Sequence, residues 1–260
     1  SGRMGNKGKV KFFHYLNTGI ELVISENSMH SYPLHNHVSV FIIGMVLNGE
    51  IKLKIAEKSY NYKLRQFFVI PPYISHGIEA DKSYSLLSIC INKNLLREKG
   101  ITGIQKLLDL ILKNILESEK IDSEEIDLLL NSLKVLEKYI NIDGEKDVHL
   151  EKVREYIEIY PENIFSIDEM ADSAFSSKYN FIRRFKERTG LTPHQFQIQN
   201  RIRKAQKLLE KLSITTEVAL TTGFYDQSHF IRNFKKIVKM TPLEYQSSIK
   251  RINLFKEELE

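Results

Sequence analysis

The strongest constraint on this 260-residue chain is a stretch that occurs twice. Phe181, Ile182, Arg183, Phe185, Lys186, Thr192, Pro193 and Phe196 recur 49 residues later as Phe230, Ile231, Arg232, Phe234, Lys235, Thr241, Pro242 and Tyr245. Such self-similarity marks a duplicated supersecondary unit. Upstream, Ala171 matches Ala219 at an offset of 48, so the second copy carries one more residue in the turn between its two helices. Ser166 followed by Glu169 has the form of a capping box, and it opens a short helix holding Met170 and Ala171. A short capped helix, a turn and a second helix are the parts of a helix-turn-helix, and the chain reads as having two.

At roughly 100° per residue, Phe181 and Phe185 share one face of the second helix, as do Phe230 and Phe234, and both pairs must face a core. Arg183 and Arg232 hold the same wheel position on the opposite side. They are flanked by Tyr179, Ile182 and Lys186 in the first copy and by Ser228, Ile231 and Lys235 in the second. An outward arginine on a helix that fits the ~12 Å major groove can meet guanine N7 and O6 together, and an isoleucine beside it can touch a thymine methyl. Between the two units a helix from His194 to Lys211 aligns Ile198, Ile202, Ala205 and Leu209 with Leu212 in one stripe, with Arg201, Arg203, Lys204 and Lys207 largely off it. At 1.5 Å per residue it is ~27 Å long, a spacing that suits two successive grooves ~34 Å apart.

Charge follows the same division. The chain as a whole is only +5, but Ser176 to Arg251 holds 16 Lys and Arg against 5 Asp and Glu, a net +11 suited to phosphate. Asp109 to Glu151 holds 12 acidic and 5 basic residues, net −7, and repels nucleic acid. The single cysteine, Cys90, excludes an intramolecular disulfide and any cysteine-rich zinc module, which fits a reducing cytoplasm; in its apolar strand it reads as a buried thiol. No apolar run approaches the ~18 residues of a membrane span, and the first residues lack a signal-peptide stretch, so no membrane partner is expected.

From about Val10 to Asn92 the period is two. Ile51, Leu53 and Ile55 alternate with Lys52 and Lys54, and Asn48-Gly49 predicts a tight hairpin between that run and the apolar segment Val40 to Leu47. With Phe67 to Ile70 and Tyr84 to Ile91, about eight short strands are expected, packed as a sandwich or closed as a barrel. After Asn94 the period lengthens: Ile104, Leu107, Leu108, Ile111, Leu112 and Ile115, then Ile126, Leu129, Leu130, Leu133 and Leu136, mark two amphipathic helices. Their stripe packs against the β unit or forms a dimer seam; the two are compatible.

Ala219, Gly223, Phe224, Asp226, Ser228, His229, Phe230, Arg232, Phe234 and Lys235, followed by Thr241, Pro242 and Tyr245, closely resemble the signature of the AraC/XylS transcription regulators. The resemblance covers about Val153 to Ser248 and implies a seven-helix module with two helix-turn-helices that binds promoter DNA in the bacterial cytoplasm, at the nucleoid, as an activator or a repressor with RNA polymerase as a partner. Carried over by position, it implies DNA contacts from Tyr179, Ile182 and Arg183 on the first reading helix and from Gln227, Ser228, His229 and Arg232 on the second. Lys186 and Lys235 join them from the wheel, and Ser177 and Lys178 at the start of the first helix complete the set. Lys239 departs from the pattern: family members have glycine there, as Gly190 stands in the first copy.

His35, Asn36 and His37, then Asn48 and Gly49, then Pro71, Pro72 and His76 resemble the cupin sensor domain that many of these regulators carry, which implies a small double-sheet barrel with a pocket. In metal-binding cupins a glutamate follows the two-histidine motif. Here Phe41 occupies that neighbourhood, and Arg65-Gln66 replaces the glycine-led turn. His35, His37, Phe41 and His76 are the expected pocket residues. The three imidazoles can line an organic-ligand pocket, serve structure alone, or ligate a metal with water completing the shell; no metal or cofactor is assigned.

The fold class expected is α+β with two domains: an N-terminal cupin-like β-barrel with appended helices, and a C-terminal all-α module of two helix-turn-helix units joined by a long helix. The boundaries are a ligand-sensing β-domain at 1–95, an acidic helical linker or dimerisation segment at 96–147, the DNA-binding domain at 148–252 and a tail at 253–260. The function expected is sequence-specific regulation of transcription, not catalysis, under a small-molecule effector held in the β-domain, with residues 101–140 as a homodimer surface. The competing classes are a metal-binding cupin enzyme fused to a DNA-binding module and a constitutive DNA binder with a vestigial sensor.

Overall fold

The computed structural model describes residues 8–15, 19–35, 37, 40–55, 57–119, 121–140, 147–211 and 214–252. Asn36, Leu212 and the expected tail at 253–260 lie outside the described residues. Among the described residues nine strands fill the first part: β1 (Lys9–Tyr15), β2 (Ile20–Ser28), β3 (Tyr32–His35), β4 (Val40–Asn48), β5 (Glu50–Ile55), β6 (Lys58–Lys63), β7 (Phe67–Ile70), β8 (His76–Glu79) and β9 (Tyr84–Asn92). A tenth, β10 (Ile249–Ile252), comes from the far end of the chain. Two sheets result, one in the order β10-β1-β2-β9-β4-β7 and one in the order β3-β8-β5-β6.

The larger sheet is buried on both faces, and strand parity assigns its residues. Ile20, Leu22 and Ile24 of β2, Phe41, Ile43 and Met45 of β4, and Leu87, Ile89 and Ile91 of β9 face a core shared with the helices that follow. Their neighbours Ile42, Val46 and Leu86 turn the other way, toward the small sheet and Ile51, Leu53, Phe68 and Ile70. Burial on both sides is why β4 reads as a continuous apolar run. Asn48-Gly49 does not close a hairpin: β4 pairs with β7 and β9, β5 pairs with β6 and β8, and the dipeptide is the corner at which the chain crosses between sheets. Only Gly49 takes a positive φ there, +72°, with its amide donating to Asn48 Oδ1 at 2.9 Å. Arg65 stands in for the missing glycine at φ +63°, and its guanidinium reaches Asp122 at 2.9 Å and Glu124 at 2.7 Å.

Helix α1 (Lys93–Glu119), kinked at Gly100, and α2 (Ser123–Ser132) lead through a 3-10 turn (Leu133–Leu136) into α3 (Glu137–Ile140). Their stripe, from Ile104 through Ile115 to Leu136, is buried against the sheet, so helices and sheet share one core.

Seven helices form the last part: α4 (Val148–Ile159), α5 (Ile167–Ser173), α6 (Lys178–Thr189), α7 (Pro193–Glu210), α8 (Thr215–Thr221), α9 (Gln227–Val238) and α10 (Pro242–Ser248). The duplication is structural. Capping boxes at Ser166, Thr192 and Thr241 open α5, α7 and α10, with a proline at the first turn of the latter two. Phe181, Phe185 and Phe196 fill one core, and Phe230, Phe234 and Tyr245 fill the other, all fully buried.

Both halves of the module dock on the barrel. Tyr73 packs against the first core, while Val10 and Val23 pack against the second. Buried Arg154 of α4 holds Glu151 at 2.7 Å, pairs with Glu158, and donates to the Tyr73 hydroxyl while stacking 4.4 Å from that ring's centroid. The strand β10 then pairs in parallel with β1, placing Phe12 beside Ile249 and Tyr15 beside Ile252.

The two copies end alike. Gly190 caps α6 at φ +79° and Lys239 caps α9 at φ +66°, so lysine adopts the left-handed geometry that its counterpart glycine takes freely. A Cβ at Gly190 would sit 2.7 Å from Ser75 Cβ of the barrel. Gly190→Ala is expected to lower stability by ~1–2 kcal/mol and Lys239→Gly to raise it by up to ~1 kcal/mol, read by denaturant unfolding of the full chain. Arg154→Ala, which removes a buried guanidinium from two half-buried carboxylates and from the Tyr73 ring, is expected to lower stability by ~1–3 kcal/mol in the same assay.

Candidate DNA interface and ligand cavity

The two helix-turn-helix units present the outward faces that their sequence demands. Ser177, Lys178, Tyr179, Arg183 and Lys186 on the first reading helix, and Gln227, Ser228, Arg232 and Lys235 on the second, are all exposed; Ile182 and His229 are half-buried. Tyr179 is 80% exposed, a large aromatic held in water next to arginine. Ser177 and Asp226 cap the two helices through the amides of Asn180 and His229. The His229 ring meets Phe224 edge-on at 5.4 Å, which fixes it at the rim of the second reading face. Arg183 is held along its own helix, donating to Glu187 at 2.9 Å and to Asn180 Oδ1 at 2.8 Å.

Three basic residues of the long helix α7 serve the interior. Arg201 donates to the carbonyls of Pro161 at 2.6 Å and Gly223 at 2.9 Å, joining the turn after α4 to the turn after α8. Lys204 pairs with Glu162 at 2.7 Å, and Arg203 projects into the barrel's cavity. Part of the +11 therefore holds the module together and is not available to phosphate.

That cavity, about 130 Å³, lies between the inner faces of the two sheets and is covered on one side by the DNA-binding module. The barrel supplies Glu21, Ser25, Tyr32, His35, His37, His76, Ser88 and Cys90 among apolar side chains such as Ile42, Leu53 and Leu86. The module supplies Arg203 and Gln206 from α7, and Ile237 and Val238 from the C-terminal end of α9. Arg203 Nη1 donates to Gln206 at 2.7 Å, and its Nε has no partner among the described residues.

His35, His37 and His76 meet at the cavity, with ring centroids 4.4 to 5.4 Å apart. Burial drives their pKa values down, to about 3 for His35 and about 4 for His76 and well below the usual value for His37, so all three are neutral. The expected fourth pocket residue, Phe41, is elsewhere. Strand parity turns it to the opposite face of the large sheet, 6.1 Å from the Tyr139 ring, and its neighbour Ile42 lines the cavity instead. Burial pushes the Glu21 carboxyl up to about 7 against the pull of Arg203 and Lys207, and it pushes the Cys90 thiol up as well.

Sequence reasoning missed Glu21, Arg203, Gln206, Ile237 and Val238. Glu21, Ser25 and Ser88 left a trace, as polar residues at one parity of otherwise apolar strands. Arg203 left none, because its role exists only where two distant parts of the chain meet.

Two helix-turn-helix units with outward arginines, closing a barrel that encloses a small cavity, define a DNA-binding regulator with its own ligand domain. Residues 170–248 match the family described as helix-turn-helix domain, and residues 17–133 match the AraC-like ligand binding domain. The HTH-type transcriptional regulator YbfI of Bacillus subtilis is 26% identical over 236 residues, 81% of this chain and 85% of that one. The HTH-type transcriptional regulator MtrA of Neisseria gonorrhoeae is 33% identical over 158 residues, 57% of this chain and 48% of that one. A point variant of ToxT from Vibrio cholerae, solved in its apo form, shares the fold at a TM-score of 0.61 and 16% identity, covering 91% of this chain and 100% of that one; wild-type ToxT has also been solved with an unsaturated fatty acid bound. The chain belongs to the AraC/XylS family of transcription regulators. No helix among the described residues is long and apolar enough to cross a membrane.

Glu187 pairs with Arg183 at 2.9 Å and adds a negative charge to the exposed face of α6. Glu187→Gln is therefore expected to tighten DNA binding about two- to threefold, the worth of one exposed ion pair, in a fluorescence anisotropy titration at fixed salt.

Proposed function

We propose that this regulator reads promoter DNA through Ser177, Lys178, Tyr179, Ile182, Arg183 and Lys186 in one major groove and Gln227, Ser228, His229, Arg232 and Lys235 in the next. A small effector in the barrel cavity controls that reading. The observation that carries this is the composition of the cavity wall: Ile237 and Val238 belong to the same helix as Arg232. Val238 is six residues from Arg232, ~9 Å along the helix axis, so a ligand in the cavity touches the reading helix itself. An effector that fits one placement of α9 better than another shifts the population between them, which is all that allosteric control requires.

The cavity also describes its ligand. A volume near 130 Å³ approaches that of engineered cavities that hold benzene, so the effector has roughly six to ten non-hydrogen atoms unless the walls give. The lining is largely apolar, and the unpartnered Arg203 Nε aims for an acceptor, which favours an apolar body with one anionic group. The fatty acid bound to ToxT is of that chemical type.

The division into a sensor at 1–95, a helical segment at 96–147 and a DNA-binding module at 148–252 belongs to this reading. So do promoter-bound contact with RNA polymerase, activation at the nucleoid of a cytoplasmic protein, and pairing of two copies through the exposed side of 101–140. The relatives are named as transcriptional regulators, and that supports a non-catalytic role.

Arg183→Ala and Arg232→Ala are each expected to weaken binding to a selected operator by ~1–3 kcal/mol and to relax base preference at one position. Unchanged affinity in both variants overturns the reader assignment. For the effector, small carboxylic acids are expected to raise the melting temperature of the full chain and to change its operator affinity. Val23→Phe, which fills the cavity, is expected to abolish both responses while leaving an operator complex; a response that survives it places the effector elsewhere.

A further inference from the structure

We propose that Phe175 and Tyr225, in the turns that lead into the two reading helices, are DNA contacts, each packing its ring on deoxyribose at the edge of the groove that its unit enters. This rests on the reading of DNA by α6 and α9 and adds side chains that lie outside their helical faces.

The two turns align by their hydrogen bonds. The amide of Phe175 donates to the Asp172 carbonyl and that of Gly223 to the Leu220 carbonyl, both at 3.0 Å. The next amide, from Ser176 in one copy and Phe224 in the other, donates to the carbonyl of Ala171 at 3.0 Å and of Ala219 at 3.1 Å. Phe175 is thus the structural counterpart of Gly223, and both are left-handed, at φ +51° and +84°. The second copy does what steric physics favours: glycine takes the left-handed position, and the phenylalanine after it is buried against His229 and Phe230. The first copy inverts that order. Serine takes the half-buried place, and phenylalanine carries both the left-handed backbone and a ring that is 80% exposed. Positive φ on a bulky residue is uncommon and costly, and among the described residues the Phe175 ring meets only the exposed His149 ring, edge-on at 4.6 Å.

The second copy reaches an exposed aromatic by another route. One residue, Ser176, separates Phe175 from the Ser177 cap, whereas two, Phe224 and Tyr225, separate Gly223 from the Asp226 cap. The extra residue of the second turn is therefore the place of Tyr225, which is 91% exposed. Each reading helix begins beside a large ring held in water, although the two turns differ in length and in backbone. The N-terminal end of such a helix is the end that enters the major groove, so a ring placed there borders the strand that flanks the groove. Continuity fixes the occupant: Tyr179 of the first reading face follows Phe175 by four residues, and Gln227 and Ser228 of the second follow Tyr225 directly. Deoxyribose offers the apolar C–H surface of that strand, which a phenyl or phenol ring can cover and a lysine cannot.

The test measures binding of full-chain Phe175→Gly and Tyr225→Ala to a duplex selected from a random pool by the wild-type chain, using fluorescence anisotropy over a series of salt concentrations. Glycine is what the second copy carries at that point, so Phe175→Gly is expected to keep or raise the melting temperature. Each variant is expected to weaken binding about five- to tenfold, the worth of roughly 50 Å² of apolar surface. Sugar contacts carry neither an ion pair nor sequence information, so the dependence of affinity on salt and the base preference are expected to stay those of the wild type. Lys186→Ala, a phosphate contact, is expected instead to lower the salt slope by about one. Unchanged affinity in both aromatic variants overturns the proposal and leaves the rings for a protein partner; a loss confined to one base pair, or matched by a fallen melting temperature, overturns it too. Arg183→Ala measured alongside tells this apart from the reading beneath it: if Arg183→Ala alone weakens binding, only the aromatic contacts are lost, and if it also binds as the wild type does, the reader assignment has failed.

Discussion

The six-stranded sheet has no solvent face at its centre, and the rest of the molecule follows from that. Its outer face carries Leu22, Ile43 and Ile89 and needs α1 and α2 to cover it; its inner face carries Val23, Ile42 and Leu86 and needs the small sheet opposite. Apolar side chains from both layers make up the outer core. The inner face instead interleaves Glu21, Ser25, Ser88 and Cys90, groups that pack poorly against leucine, and a cavity persists where they cluster. Polar residues on a buried face are costly unless something answers them. The module answers in part, with Arg203 and Gln206, so the β-domain's interior is completed by the DNA-binding module.

The DNA-binding half was almost fully legible in the sequence, because its signals are local. A capping box, a four-residue spacing of phenylalanines and a threonine-proline start each act within one helical turn and do not need the rest of the chain. Even the departure at Lys239 resolved locally, as a lysine that accepts a left-handed cap. The barrel was legible as a class and misread in detail. Asn48-Gly49 has hairpin chemistry, yet the chain uses it to change sheets, since register is decided by partners that lie dozens of residues away. Phe41 was placed by analogy with a spacing, whereas the one-residue alternation of a strand puts it outside. The cavity's far wall was invisible, because Arg203 reads as one more basic residue until the two domains are brought together.

The positive charge of the module is accordingly of two kinds. Arg183, Arg232, Lys186 and Lys235 stand in water on the reading faces. Arg201, Arg203 and Lys204 are tied to carbonyls, the cavity and Glu162, where they fix the angle between the two units. A count of basic residues treats these alike, but only the first kind responds to salt as phosphate contacts do. Across the joint, the end of the acidic segment supplies Asp147 to Arg184 and Glu151 to Arg188 of the first unit, so its negative charge is a docking surface as much as a barrier to nucleic acid.

The parallel pairing of β10 with β1 gives the molecule the topology of a buckled belt. The strand that leaves the second helix-turn-helix returns to the first strand of the barrel, so the second unit is anchored on both sides of α9, through α7 and through the ladder. The first unit has no such return: it hangs between the Arg154 joint and the root of α7. The two reading helices are thus unequal in mechanical freedom. A duplex engaging this protein meets one arm held to the barrel by side-chain contacts alone and one held by a row of backbone hydrogen bonds as well.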